Sequence, residues 1–238
     1  MLERAWSQAG SAACARIGRL KRVEVKLVGM IGMLRIWGRH TSINVQKVLW
    51  CCDELRLAFD RRDVGGEFGG LDRPEYLALN PNSRIPTIED GSFVLWEANT
   101  IVRYLCAKHG PGTLCPETLE ARADAERWMD WQICHILPGL VTMFFGLVRT
   151  PEKERDHASI EAARLRTQDF WRIADAHLKT RSYLCGDNFT MADIPLGAFA
   201  YRWHMLPIER PTLPHLLRWF ERLSERPAFR TRVMLPLR

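Results

Sequence analysis

This 238-residue chain predicts an α/β unit with a mixed sheet, followed by an all-helical unit. Three observations carry that reading. Short apolar runs and helical patterns alternate as β-α-β-α-β-β-α over residues 33–109. Asp90-Gly91 lies between two apolar runs and supplies the positive φ angles of a tight hairpin. Beyond His109-Gly110-Pro111-Gly112, the periodic stretches repeat at helical spacing.

Each element has its own signal. Leu34–Trp37 is a short apolar strand closed by Gly38. Ser42 and Asn44 are good N-cap types, and Val45, Val48, Leu49, Cys52 and Leu55 follow at helical spacing. Phe59–Val64 reads as a second strand, running into the glycine-rich loop Gly65–Gly70. Pro74–Leu79 fits a short helix opened by proline in its first turn. Ile85–Glu89 and Phe93–Trp96 are the arms of the hairpin, and Ala98–Lys108 is a helix ending near Gly110. A first βαβ unit implies a parallel pair, to which the hairpin adds antiparallel strands. Residues 110–116 read as a linker and 117–238 as the helical unit, with helices over Glu120–His135, Ile160–Leu178, from near Thr190, and over Pro214–Glu225. Residues 1–32 read as a disordered extension or a misplaced start, because Met33 directly precedes the first strand.

Composition narrows the function. Hydrophobic residues make up 47% and charged residues 26%, ordinary for a globular protein. The net charge of +6 is concentrated in residues 1–33, where six Lys/Arg face two Glu; the rest carries only +2, which argues against nucleic-acid binding. No run reaches the roughly 18 apolar residues of a spanning helix, and Leu137–Val148 reads as a buried helix, so no membrane partner is expected. Seven scattered cysteines without a C-x-x-C pair argue against a disulfide framework and against any metal site, and suggest a reducing cytoplasm. Cys51 and Cys52, inside the first helix, read as buried inert thiols.

Three blocks, in order, carry a family resemblance: RHTSINVQKVLW, NPNSRIPTIEDGSFVLWEANTIVRYL and YLCGDNFTMADIPLG. Together they resemble the cytosolic glutathione transferases, with WMDWQ and the GGEFGGLDRPEYLALNP loop similar to bacterial theta- and beta-like members. The resemblance spans about residues 34–230 and implies a thioredoxin-like first domain and a helical second one. It further implies a homodimer that serves detoxification, with glutathione as co-substrate and a small hydrophobic electrophile as partner.

The resemblance assigns roles residue by residue. A cis Ile85–Pro86 bond would turn the main chain of Ile85 toward glutathione, with Arg84 beside it. Glu97 would meet the γ-glutamyl ammonium, and the helix opening at Ala98 would offer its free N–H groups to the carboxylate. Relatives usually carry Ser or Thr where this chain has Ala98, so weaker glutathione binding is expected. Ser42 is the expected catalytic hydroxyl, lowering the thiol pKa together with the helix dipole, with Asn44 an amide donor nearby and Thr41 the reserve hydroxyl. A simple N-cap would occupy the same place. Trp128, Trp131, Phe144 and Phe145 are candidate walls of the electrophile site, and core packing is the competing reading for them and for Trp203. Thr190 and Asp193 have capping-box spacing and resemble a structural N-cap. Two rivals stay open: a glutathione-dependent disulfide or peroxide reductase, and a non-catalytic binding or scaffold protein.

Overall fold

The computed structural model describes residues 33–237, so the reading of residues 1–32 lies outside the described residues. Strand β1 (Leu34–Trp37) is central to a four-stranded sheet of order β2-β1-β3-β4. It pairs in parallel with β2 (Phe59–Arg62) and antiparallel with β3 (Thr87–Asp90), which turns into β4 (Phe93–Trp96). Register follows the apolar alternation: Leu34 and Ile36 point into the core, and Ile36 lies opposite Ile88. The hairpin turns where expected, with Gly91 at φ 63°.

Helix α1 (Ile43–Glu54) crosses between β1 and β2, α2 (Pro74–Leu79) is the short helix opened by proline, and α3 (Ala98–His109) follows β4. Gly38 joins β1 to α1 at φ 144°, where a Cβ would sit 2.5 Å from Val45 Cγ2; only glycine permits so close an approach. The third strand begins two residues later than the pattern implied, because Ile85–Pro86 is a cis peptide outside the ladder.

The helical half contains α4 (Leu119–Trp131), α5 (Leu137–Phe144), α6 (His157–His177), α7 (Asp193–Met205), α8 (Pro214–Ser224) and α9 (Pro227–Arg232). Leu119–Arg149 is one helical segment in which α4 and α5 are joined and followed by wide π-type turns at Gln132–Ile136 and Phe145–Arg149. It is long and apolar enough to cross a membrane, with an 18-residue window of mean hydropathy 1.6. Only 28% of that window is buried, which corrects the expectation of a buried helix: Val141 and Phe145 are exposed on the wall of a cavity.

One apolar core runs through both halves, with Trp50 of α1 enclosed among Phe189, Phe229 and Gly197. Ion pairs close the same seam: Arg226 grips Glu54 at 2.8 and 2.6 Å, and Arg232 grips Asp53 at 2.7 and 3.1 Å. The short helix α9, absent from the sequence reading, places Arg232 there.

Candidate active site

The first turn of α1 is the chemical focus. Its first helical bond runs from Gln46 N–H to Ser42 C=O at 2.8 Å, so the N–H groups of Ile43, Asn44 and Val45 precede the ladder. Ser42 stands at the N-cap with extended φ/ψ of −77° and 124°, yet its hydroxyl makes no capping bond. No acidic residue occupies the first turn, so no side chain of that turn answers the positive end of the dipole. Thr41 is committed elsewhere, its Oγ1 accepting from Arg39 Nη1 at 2.5 Å.

Across the cavity, the segment before Pro86 is held by its backbone. Tyr76 Oη donates to the Arg84 carbonyl at 2.6 Å, and Asn80 Nδ2 donates to the same oxygen at 2.9 Å. Both also reach Thr87 Oγ1, at 3.0 and 3.1 Å, so the two ends of the Ile85–Pro86 step are tied to α2. Glu97 precedes α3 at φ 73° and ψ 110°, a conformation unusual for a residue with a side chain, and it makes no capping bond. That backbone leaves the carboxylate exposed at the cavity edge and the α3 N-terminus beside Ala98.

These groups converge on one cavity of about 790 Å³ between the two halves. Ser42, Thr41, Asn44, Arg84, Ile85, Pro86, Glu97 and Ala98 all line it, as do Phe144 and Phe145 on the helical side. Trp128 and Trp131 do not, which corrects their assignment as electrophile walls. Their rings lie 5.2 Å apart and turn toward α6, Trp128 against His177 at 4.6 Å and Trp131 against Phe170 at 6.1 Å. The cavity-facing stripe of that helical segment starts six residues beyond Trp131, at Leu137 and Leu140. Trp203 is core, packed 6.3 Å from Trp171.

Beneath the site, Lys47 is buried and donates to Asn99 Oδ1 at 3.1 Å and Gln132 Oε1 at 3.0 Å, with Phe199 under its ammonium. Burial, and then the nearby Arg202 charge, pull its pKa down to about 7. Arg39, Arg149 and Arg202 also reach the cavity, and none was singled out from sequence. Their only signal is three isolated cations on three different elements, which no linear pattern unites.

At the start of α7, Asp193 accepts from Thr190 N–H at 3.0 Å, Leu184 N–H at 3.0 Å and Trp219 Nε1 at 2.9 Å. The Thr190 hydroxyl lies 3.4 Å from Ala192 N–H, so the expected box is half reciprocal and Asp193 is its hub. Burial pushes the Asp193 carboxyl up to about 6, against the pull of those donors. Cys51 and Cys52 are buried free thiols; a hydrogen bond to Cys106 and then burial raise the first, and burial raises the second.

Comparison with known proteins agrees with this architecture. Residues 41–108 match the glutathione S-transferase N-terminal domain and residues 136–227 its C-terminal domain. Glutathione S-transferase GstB of Escherichia coli strain K12 is 38% identical over 207 residues, 86% of this chain and 100% of the relative. Glutathione S-transferase 3 of Zea mays is 33% identical over 213 residues, 86% and 95% of the two chains. The theta class glutathione S-transferase from Xanthomonas axonopodis pv. citri, solved with glutathione bound, superposes with a TM-score of 0.84 at 49% identity, covering 87% of this chain and 100% of that one. The chain belongs to the glutathione S-transferase family.

Proposed function

We propose that this protein joins the glutathione sulfur to an electrophilic carbon, with Ser42 stabilising the thiolate. The observation that carries this reading is a helix N-terminus left open toward a cavity, with a hydroxyl at its mouth that caps nothing. A thiolate placed there gains an O–H donor and the positive end of α1, both of which lower the thiol pKa. The Ile85 main chain offers strand-like pairing to the cysteinyl segment. Glu97 meets the γ-glutamyl ammonium, and the α3 N–H groups meet its carboxylate. Asn44 and Arg84 flank the tripeptide. Phe144 and Phe145 face the second substrate.

Among the described residues no cysteine lines the cavity, which weighs against dithiol exchange as the main chemistry. The Thr41 hydroxyl bound to Arg39 favours Ser42 over Thr41 as the thiolate partner. The division into a glutathione-binding unit (33–109), a linker (110–116) and a helical unit (117–238) agrees with α3 ending at His109 and α4 beginning at Leu119. A cytoplasmic homodimer acting in detoxification completes the reading.

Ultraviolet difference spectra of the glutathione complex test it. A thiolate band at neutral pH is expected in the wild type, shifted to higher pH in Ser42→Ala. An unshifted band in the variant would remove Ser42 from the mechanism.

A further inference from the structure

The loop that leads into Ile85–Pro86 is held by a closed set of hydrogen bonds. Tyr76, Asn80 and Thr87 are polar yet buried, with exposures of 3%, 2% and 0%. The Arg84 carbonyl can only accept, so the Tyr76 hydroxyl gives it its proton at 2.6 Å. The 3.0 Å contact between Tyr76 Oη and Thr87 Oγ1 is then donated by Thr87. Asn80 gives one N–H to the Arg84 carbonyl at 2.9 Å and the other to Thr87 Oγ1 at 3.1 Å. Its own Oδ1 accepts from the Asn82 backbone N–H at 3.0 Å and from Asn82 Nδ2 at 3.1 Å. Every donor and acceptor of the Asn80 amide is thereby used.

The set converges on one atom, the Arg84 carbonyl oxygen. Two donors there fix the plane of the Arg84–Ile85 peptide, which is trans. In a trans peptide the C=O and the N–H point in opposite directions. The carbonyl is turned toward Tyr76 of α2, so the Ile85 N–H is turned away from it. Ile85 lines the cavity, and its N–H has no hydrogen-bond partner among the described residues. Two donors on a carbonyl also draw charge out of its amide, which makes the N–H on the far side a stronger donor.

We propose that Tyr76, Asn80 and Thr87 are positioning residues for glutathione: they aim and polarise the Ile85 N–H, which donates to the carbonyl of the cysteinyl residue. The inference rests on the transferase reading above and adds the residues that set its main-chain contact. Tyr76 and Thr87 are not on the cavity lining, so they act through Ile85 and not by touching the ligand. Their effect falls on how the tripeptide is held, and through that on where its sulfur lies.

Two substitutions cut the set without removing bulk. Tyr76→Phe keeps the ring, edge-on to Trp37 at 6.1 Å, and takes one donor from the Arg84 carbonyl. Thr87→Val breaks the links to Tyr76 and Asn80, and Thr87→Ser retains them. Calorimetric titration compares two unreactive probes: S-methylglutathione, and the same molecule with a trans-alkene in place of its Cys–Gly amide. The alkene keeps the shape and lacks the carbonyl. Its missing glycyl N–H is the same loss in every variant, so changes in the ratio read the carbonyl. The wild type should bind the amide about tenfold more tightly than the alkene, the worth of one hydrogen bond. Tyr76→Phe should lower that ratio about threefold and Thr87→Val by less, with Thr87→Ser at the wild-type ratio. In turnover, Tyr76→Phe should raise KM for glutathione and leave KM for the electrophile where it was. A loop that is merely loosened weakens both probes equally, so an unmoved ratio in Tyr76→Phe and Thr87→Val would overturn the assignment alone. Failure of the wild type to bind S-methylglutathione would sink the transferase reading and this assignment with it.

Discussion

The start of α7 lies in a buried hydrogen-bonded cluster, whereas that of α1 opens on a cavity. At α7, Asp193 gathers Thr190 N–H, Leu184 N–H and Trp219 Nε1, and the whole cluster is buried. At α1, Ser42 precedes the first helical residue with a hydroxyl that caps nothing, and no carboxylate stands in the following turn. Helix starts carry the same unsatisfied N–H groups wherever they occur. The carboxylate of the first α7 residue answers donors from the preceding segment and from Trp219 and so ties that start into the core, whereas the first turn of α1 lines the cavity.

The contrast can be broken at its strongest point first. Asp193→Ala strands three donors in the core, and each buried orphan costs about 1–3 kcal/mol, so a loss of about 3 kcal/mol or more is expected in urea unfolding. A loss below about 1 kcal/mol would mean water replaces the carboxylate and the cap is no hub. Ser42→Ala should do the reverse. Conjugation should fall about a hundredfold, the scale of one lost donor to a developing or held anion, while the urea midpoint stays put. A variant that unfolds early instead would show Ser42 to be a cap after all.

The seam between the two regions provides a pH test. Lys47 titrates at about 7 in the folded protein against an ordinary 10.5, so the unfolded chain binds more protons between those values. Stability from this group is therefore flat below about 7 and rises as pH climbs from there toward 10.5. A gain of about 1–2 kcal/mol between pH 7 and 9 is expected, measured as the difference from Lys47→Met, which should lack it. Lys47 donates to the amide oxygens of Asn99 and Gln132, and both bonds survive loss of the proton. The smallest effect belongs to the other open helix start. Ala98→Ser should lower KM for glutathione about three- to tenfold, the worth of one hydroxyl contact, with kcat unchanged. An unchanged KM would show that the α3 backbone alone reads the carboxylate.

Much of the fold was legible residue by residue. Period-two and helical spacing located the strands and most helices, Asp90-Gly91 located the turn, and Pro74 and Pro214 marked helix starts. These are local signals, carried by neighbours within a few positions. The Ser42, Ile85 and Glu97 constellation came through family resemblance, and the cavity brings all three together. The aromatic residues of the helical half were not separable in this way. Trp128 and Phe144 sit on one helical segment, yet the first packs toward α6 and the second lines the cavity. Which face of a helix meets which neighbour depends on packing against α6 and α7, and apolar spacing is the same for both.

The sequence by itself determined the order of elements, the turn chemistry and the hydroxyl, proline and carboxylate at the ends of three elements, because each depends on φ/ψ preference or short-range periodicity. Only the tertiary structure decided which polar groups would be answered from within. Arg226 finds Glu54 across 172 positions and Lys47 finds Gln132 across 85, whereas Arg39 and Arg202 share a cavity whose lining, among the described residues, carries one carboxylate, Glu97. Charge acts through space, and the distances that set its consequences exist only once the chain has closed on itself.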